Sequence, residues 1–247
     1  MASLALGLLA AVVAVVVHEL GHAIAGLAAG GRFSFLVVGP VMVERATTGR
    51  LSIRRNRSVH LMGGAVQVLP LRLDGARARL ACVLAAGPLA SVLFAVAAHA
   101  TLRLGGVPLL ARVELEWLRL LSGGLFVATA LPLPNGPWVS DGRRLARVLS
   151  RGSHGQREIA VATITVLESR GVPPASWDPA LIASGLAIRD GSIFECQLHL
   201  WSYQQASGCG EDERARAALE RALALAPHMP AMLRDECHRL AAESIRQ

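Results

Sequence analysis

The chain has 247 residues, 53% of them apolar and 17% charged, with a mean hydropathy of +0.44. That is too apolar for an ordinary soluble domain and too long for a single hydrophobic hairpin, so the composition points to a membrane protein carrying a soluble part. All 25 basic residues are arginine, against 18 acidic residues, for a net charge of +7. No basic stripe interleaved with aromatics accompanies this charge, which disfavours nucleic acid and favours anionic lipid headgroups as the partner. The cysteines Cys82, Cys196, Cys209 and Cys237 form no C-x-x-C pair, so neither a zinc ribbon nor a disulfide framework is expected.

From Leu4 to about Ala29 the chain is an almost unbroken Leu/Ala/Val run whose only ionisable groups are His18, Glu19 and His22. At about 1.5 Å per residue this is long enough to cross a hydrocarbon core of about 30 Å. No arginine precedes the run and it continues through the histidines, so it reads as a retained span, not a cleaved leader. On a helix His18 and His22 share one face, one turn apart, and can reach the same cation, while Glu19 can approach a water beside it. Intramembrane ionisable groups are costly and mark function. The H-E-x-x-H pattern in this setting points to a hydrolytic zinc centre.

Gly30-Gly31 closes the helix. Residues 33–69 carry short β-branched runs separated by Gly39-Pro40 and Thr48-Gly49 turns, and predict a β-hairpin or small sheet at the membrane face. Gly63-Gly64 would let the backbone approach another segment closely. A second span is predicted over Leu80–Leu102, with Gly87-Pro88 imposing a kink that neighbouring protein must accommodate. His99 is placed at headgroup level. A link from Arg103 to Glu116 leads to a third span over about 117–133, which breaks up at Leu131-Pro-Leu-Pro-Asn-Gly-Pro137. Irregular backbone at membrane depth survives only where protein or a cavity surrounds it, and Asp141 lies just beyond it.

The first link holds Arg32, Arg45, Arg50, Arg54, Arg55, Arg57 and Arg72, and Arg143, Arg144, Arg147 and Arg151 follow the third span. Only Arg103 and Arg112 lie between the second and third. The positive-inside rule therefore predicts an outside N-terminus and a cytoplasmic C-terminal half, with His18, His22 and Asp141 at one depth. Asp141 is the third ligand this topology favours; Glu44 and Asp74 in the first link remain alternatives.

Residues 151–247 read as a cytoplasmic α-helical domain. Helices are predicted over Gln156–Arg170, Gly191–Ala206, Glu211–Ala226 and Met229–Ile245, with 173–179 as a connector. Ala217–Pro227 resembles the second helix of a tetratricopeptide repeat, which suggests a helical-hairpin domain that either binds a protein partner or serves as a purely structural cap.

The residues of the first 150 positions resemble the site-2 protease family of intramembrane zinc metalloproteases. The likeness rests on His18-Glu19-Leu20-Gly21-His22, on Ala86-Gly87-Pro88-Leu89-Ala90, and on Asp141-Gly142 after a proline-rich break. It implies an α-helical integral membrane protein with a three-span core at 1–150 and a membrane-associated β-hairpin after the first span. It further implies zinc held by His18, His22 and Asp141, Glu19 as the general base, and substrates that are transmembrane segments of other proteins. The sequence departs from the family pattern in two places. Thr129-Ala-Leu-Pro132 stands where Asn-Leu-Leu-Pro is common, leaving Asn135, Thr129 and Gly64 as candidates for holding substrate. Ser91 stands where the second-span motif commonly ends in Asn. The competing reading is a silent membrane adaptor with a structural zinc site, against which the retained base Glu19 argues.

Overall fold

A computed structural model describes residues 2–46, 49–56, 63–69, 75–132, 134–135, 138–150 and 152–244. The chain divides into two compact units, 1–146 and 147–247.

The first unit is organised around α1 (Ala2–Ala28), α2 (Ala76–Leu104) and α3 (Leu109–Ala130), which pack mutually. Leu4–Ala28 and Ala76–Leu104 are long and apolar enough to cross a membrane, and only 22% and 28% of their most apolar windows are buried. A core helix of a soluble protein would be mostly buried. Here Leu8, Val12, Ile24, Leu89, Leu93 and Val96 are all exposed, an outward apolar surface suited to lipid. Inside, Ala10, Ala98 and Leu118 meet, with Phe94, Trp117 and Leu121 packed on them. Close approach of α1 and α2 depends on small residues. A Cβ on Gly21 would lie 2.5 Å from the Ala86 carbonyl oxygen and 2.7 Å from the Ala90 Cβ.

The third helix differs from the expectation. It begins at Leu109, so the predicted link of 103–116 shrinks to residues 105–108 between α2 and α3. Arg112, Glu114, Glu116 and Arg119 break the hydropathy, which is why a span limited to 117–133 was expected. They are nonetheless compatible with helix, and Glu116 pairs with Arg119 at 2.6 Å, three residues on.

Between α1 and α2 lies a four-stranded antiparallel sheet of order β3-β2-β1-β4: β1 Arg32–Val38, β2 Val41–Arg45, β3 Leu51–Arg55 and β4 Ala65–Leu69. Register runs Val38↔Val41 and Val43↔Ile53, with Leu36↔Val66 on the other side of β1. β4 is an edge strand laid along α1 in the same direction. A Cβ on Gly64 would meet Val15 and Glu19, and one on Gly26 would meet Val68. The sheet thus flanks the half of α1 that bears the histidines.

After α3, a two-residue ladder of β5 (Pro134–Asn135) and β6 (Trp138–Val139) leads into α4 (Asp141–Leu149). The short ladder replaces the irregular backbone that the prolines predict.

The second unit is helical: α5 Ser153–Ser169, α6 Pro179–Leu186, α7 Ile193–Gly208, α8 Asp212–Leu225 and α9 Ala231–Ser244. The expected connector ends where α6 begins, because Asp178 caps Ala180 N–H and Pro179 suits the first helical turn. Ser192 and Glu195 form a capping pair at the start of α7: the hydroxyl accepts from Glu195 N–H, and the carboxylate accepts from Gly191 N–H at 2.7 Å. α7 packs on α8 through Leu200, Tyr203, Ala215, Ala218 and Leu219, and α9 adds Leu233 and Leu240 to this core.

Candidate metal centre

His18 and His22 stand on α1 and are 4% and 8% exposed; Asp141 opens α4. The three side chains converge. His18 Nε2 lies 3.2 Å from Asp141 Oδ2, His22 Nε2 lies 3.3 Å from the same oxygen, and the two Nε2 atoms are 3.2 Å apart. A tetrahedral site with ligands about 2.0–2.1 Å from the metal spaces its ligand atoms about 3.3 Å from one another. The triangle therefore has the edge length a zinc ion requires. Among the described residues, these three are the grouping of His, Cys, Asp or Glu able to hold a metal.

The far side of each ring sets which nitrogen faces the triangle. His22 Nδ1 lies 2.6 Å from the Val83 carbonyl oxygen, which can only accept. Nδ1 therefore carries the hydrogen, and neutral His22 presents a lone pair at Nε2. His18 Nδ1 lies 2.9 Å from Ser91 Oγ, and Ser91 is fully buried. Lone pairs and a carboxylate that crowd together in an apolar interior repel one another unless a cation or proton lies between them. The donor set fits zinc, whose sites combine imidazole nitrogen and carboxylate oxygen.

Local sequence explains how each of the three side chains reaches the triangle. Four-residue spacing aligns the histidines on α1. Gly87 leaves room for the second of them, since a Cβ there would fall 2.2 Å from His22 Nε2. Asp141 is placed by a staple between α3 and α4: Ser140 Oγ donates to the Leu131 carbonyl at 2.7 Å and accepts from Arg143 N–H at 3.3 Å. Gly142 completes it, because a Cβ there would sit 1.8 Å from the Ala130 carbonyl oxygen.

Glu19 is 8% exposed, on the residue after the first histidine. Gly64 lies against it: a Cβ on Gly64 would approach Glu19 Oε1 to 2.8 Å, and its φ of +113° is one that side-chain-bearing residues rarely adopt. Thr129 is turned to its own helix, its hydroxyl donating to the Leu125 carbonyl at 2.8 Å. The backbone of Asn135 pairs with Trp138, while its side chain lies outside the described residues. Of the alternative ligands, Glu44 is engaged on the sheet, 2.7 Å from Arg54 and accepting from Ser52; Asp74 lies outside the described residues. His99 is exposed on α2, away from this cluster.

Three supporting residues were not singled out as site residues in the sequence: Val83, Gly87 and Ser91. They recur every four positions on one face of α2, and that spacing relative to a histidine-bearing neighbour was the available signal.

The model of Peptidase family M50 matches residues 6–225. No curated protein and no solved structure matches the chain. The family is one of membrane-embedded metallopeptidases that use a metal cofactor, typically zinc, and act on membrane proteins. With the match covering most of its length, the chain belongs to Peptidase family M50, the site-2 protease family.

Proposed function

We propose that this chain is a zinc metalloendopeptidase that hydrolyses peptide bonds in or near transmembrane segments of other membrane proteins. His18, His22 and Asp141 would hold the zinc and Glu19 would serve as general base. The observation that carries this reading is the triangle of acceptor atoms at 3.2–3.3 Å, with a buried carboxylate on the adjacent residue. Bound zinc supplies Lewis acidity, polarising a carbonyl and making water a competent nucleophile near neutral pH.

The chain's own groups do the rest. A Glu19 carboxylate oxygen takes the proton from the attacking water and returns it to the nitrogen of the departing amine. A closed structural site has no use for such a base. The peptide presented to Glu19 must be extended, because a helical carbonyl is already engaged by its own backbone. Gly64, at the head of edge strand β4 and against Glu19, supports a substrate-side role for this backbone. Asn135 is proposed beside it; for Thr129 the back-bond to Leu125 leaves the weaker case.

The reading includes three membrane crossings, α3 being the third, with arginine placement putting the 33–69 link and the helical domain of 151–247 in the cytoplasm. The α7–α8 pair is proposed to act as a tetratricopeptide-like hairpin for a protein partner.

The test is metal removal. In liposomes containing the purified chain and a membrane-embedded test substrate, a zinc chelator should stop cleavage and added zinc should restore it. Cleavage that persists after the metal is gone would overturn the assignment.

A further inference from the structure

We propose that Ser91 is a positioning residue that holds His18 in the tautomer able to bind metal, as the Val83 carbonyl does for His22. The proposal rests on the reading above that His18 is a metal ligand.

Ser91 is a hydroxyl with no exposed surface, on an apolar helix, and its Oγ is 2.9 Å from His18 Nδ1. A nitrogen that ligates metal must offer a lone pair at Nε2, so the other ring nitrogen must carry the hydrogen and find an acceptor. No solvent reaches this position, so the acceptor has to come from the protein. Ser91 Oγ supplies it. At His22 the equivalent acceptor is backbone, and side-chain substitution leaves it in place. At His18 it is a side chain, and that makes the tautomer of the first histidine dependent on residue 91.

The two acceptors and the space between them belong to one face. Val83, Gly87 and Ser91 follow at four-residue intervals on α2. The first accepts from His22, the second leaves room for the His22 ring, and the third reaches His18. α1 brings the ligands, and this stripe of α2 orients them. Ser91 touches neither the reacting atoms nor the metal position, so its effect is transmitted through the His18 ring.

The experiment compares zinc affinity of the purified full chain in detergent, by competition with a chromophoric chelator, for wild type, Ser91→Ala and Ser91→Cys. Alanine removes the oxygen; cysteine fills the space but is a poor acceptor. Losing a partner that orients a ligand typically lowers affinity about 10–100-fold, and both variants should show that loss while keeping their helix content by circular dichroism. Wild-type affinity in Ser91→Ala would overturn the proposal. So would a loss in Ser91→Ala that Ser91→Cys abolishes, since the role would then be packing. If wild type itself binds no zinc, the metal-site reading fails and this proposal falls with it; if wild type binds and Ser91→Ala binds equally, only the positioning role fails.

Discussion

Gly87→Ala is a one-methyl change expected to dismantle the proposed metal centre. A methyl group at residue 87 would fall 2.2 Å from His22 Nε2, 2.5 Å from Cε1 and 2.6 Å from Cδ2, whereas ordinary contact begins near 3.4 Å. The ring would have to retreat by about 1.2 Å at its ligating nitrogen, against a tolerance of about 0.2 Å for metal–ligand distances. Retreat from α2 also stretches the bond from Nδ1 to the Val83 carbonyl, and a shift of that size takes it from 2.6 Å to beyond the roughly 3.2 Å at which such bonds are kept. The expected result is loss of one ligand, with zinc affinity falling by more than the roughly 10–100-fold seen when only a supporting partner is removed. Overpacking adds a stability cost of about 1–3 kcal/mol. Zinc content by mass spectrometry after purification in detergent reads the first effect, and thermal melting of the metal-free protein reads the second. The matched control is Gly123→Ala on α3, where a Cβ meets nothing within 4 Å; it should keep full zinc and gain up to about 1 kcal/mol from the stiffer unfolded chain. Wild-type zinc binding by Gly87→Ala would refute the geometry argued for His22.

Three further outcomes are expected. Gly142→Ala should lower both zinc content and thermal stability, because its Cβ would overlap the Ala130 carbonyl oxygen and push Asp141 away from the histidines; retention of zinc would show that α3 and α4 can separate without moving the ligand. Gly64→Ala should keep zinc but cut the rate of substrate cleavage, since it crowds Glu19 and strains a backbone at φ +113° without touching the ligands; an unchanged rate would remove Gly64 from the substrate side of the site. In the second unit, burial and then the neighbouring Cys237 push the Cys196 thiol up to about 12. At pH 8 only about one thiol in ten thousand would then be ionised, so native protein should show fast labelling at exposed Cys209 and almost none at Cys196 until the pH approaches 12 or the domain unfolds. Rapid labelling of Cys196 at pH 8 would contradict its packed environment.

The three residues of the candidate metal centre were legible in the sequence to different degrees, for physical reasons. His18 and His22 are separated by one helical turn, so local spacing alone places them together. Asp141 is 123 positions from His18; the count of membrane crossings, the arginine distribution and the Asp141-Gly142 motif of the family likeness brought it near, with Glu44 and Asp74 as alternatives, of which Glu44 is paired with Arg54 and Asp74 lies outside the described residues. The start of α3 was missed because Arg112, Glu114, Glu116 and Arg119 interrupt hydropathy while leaving helical geometry intact. Three of the strands were legible as β-branched runs, but β4 and the sheet order were not: β4 pairs with β1 across the whole of β2 and β3, and no local turn signals that pairing. Ser91 stood out only as a departure from a pattern. Its contact with His18 depends on where α2 crosses α1, and that crossing is set by Gly21, Ala86 and Ala90, whose small size carries no chemical signature of its own.

The most direct test of the central claim is Glu19→Ala, with zinc content and cleavage of a membrane-embedded substrate measured on the same preparation. Glu19 is buried next to His18 but lies outside the His18–His22–Asp141 triangle. The substitution should therefore leave zinc bound at about one per chain and abolish cleavage. Cleavage at the wild-type rate by the zinc-loaded variant would contradict the account.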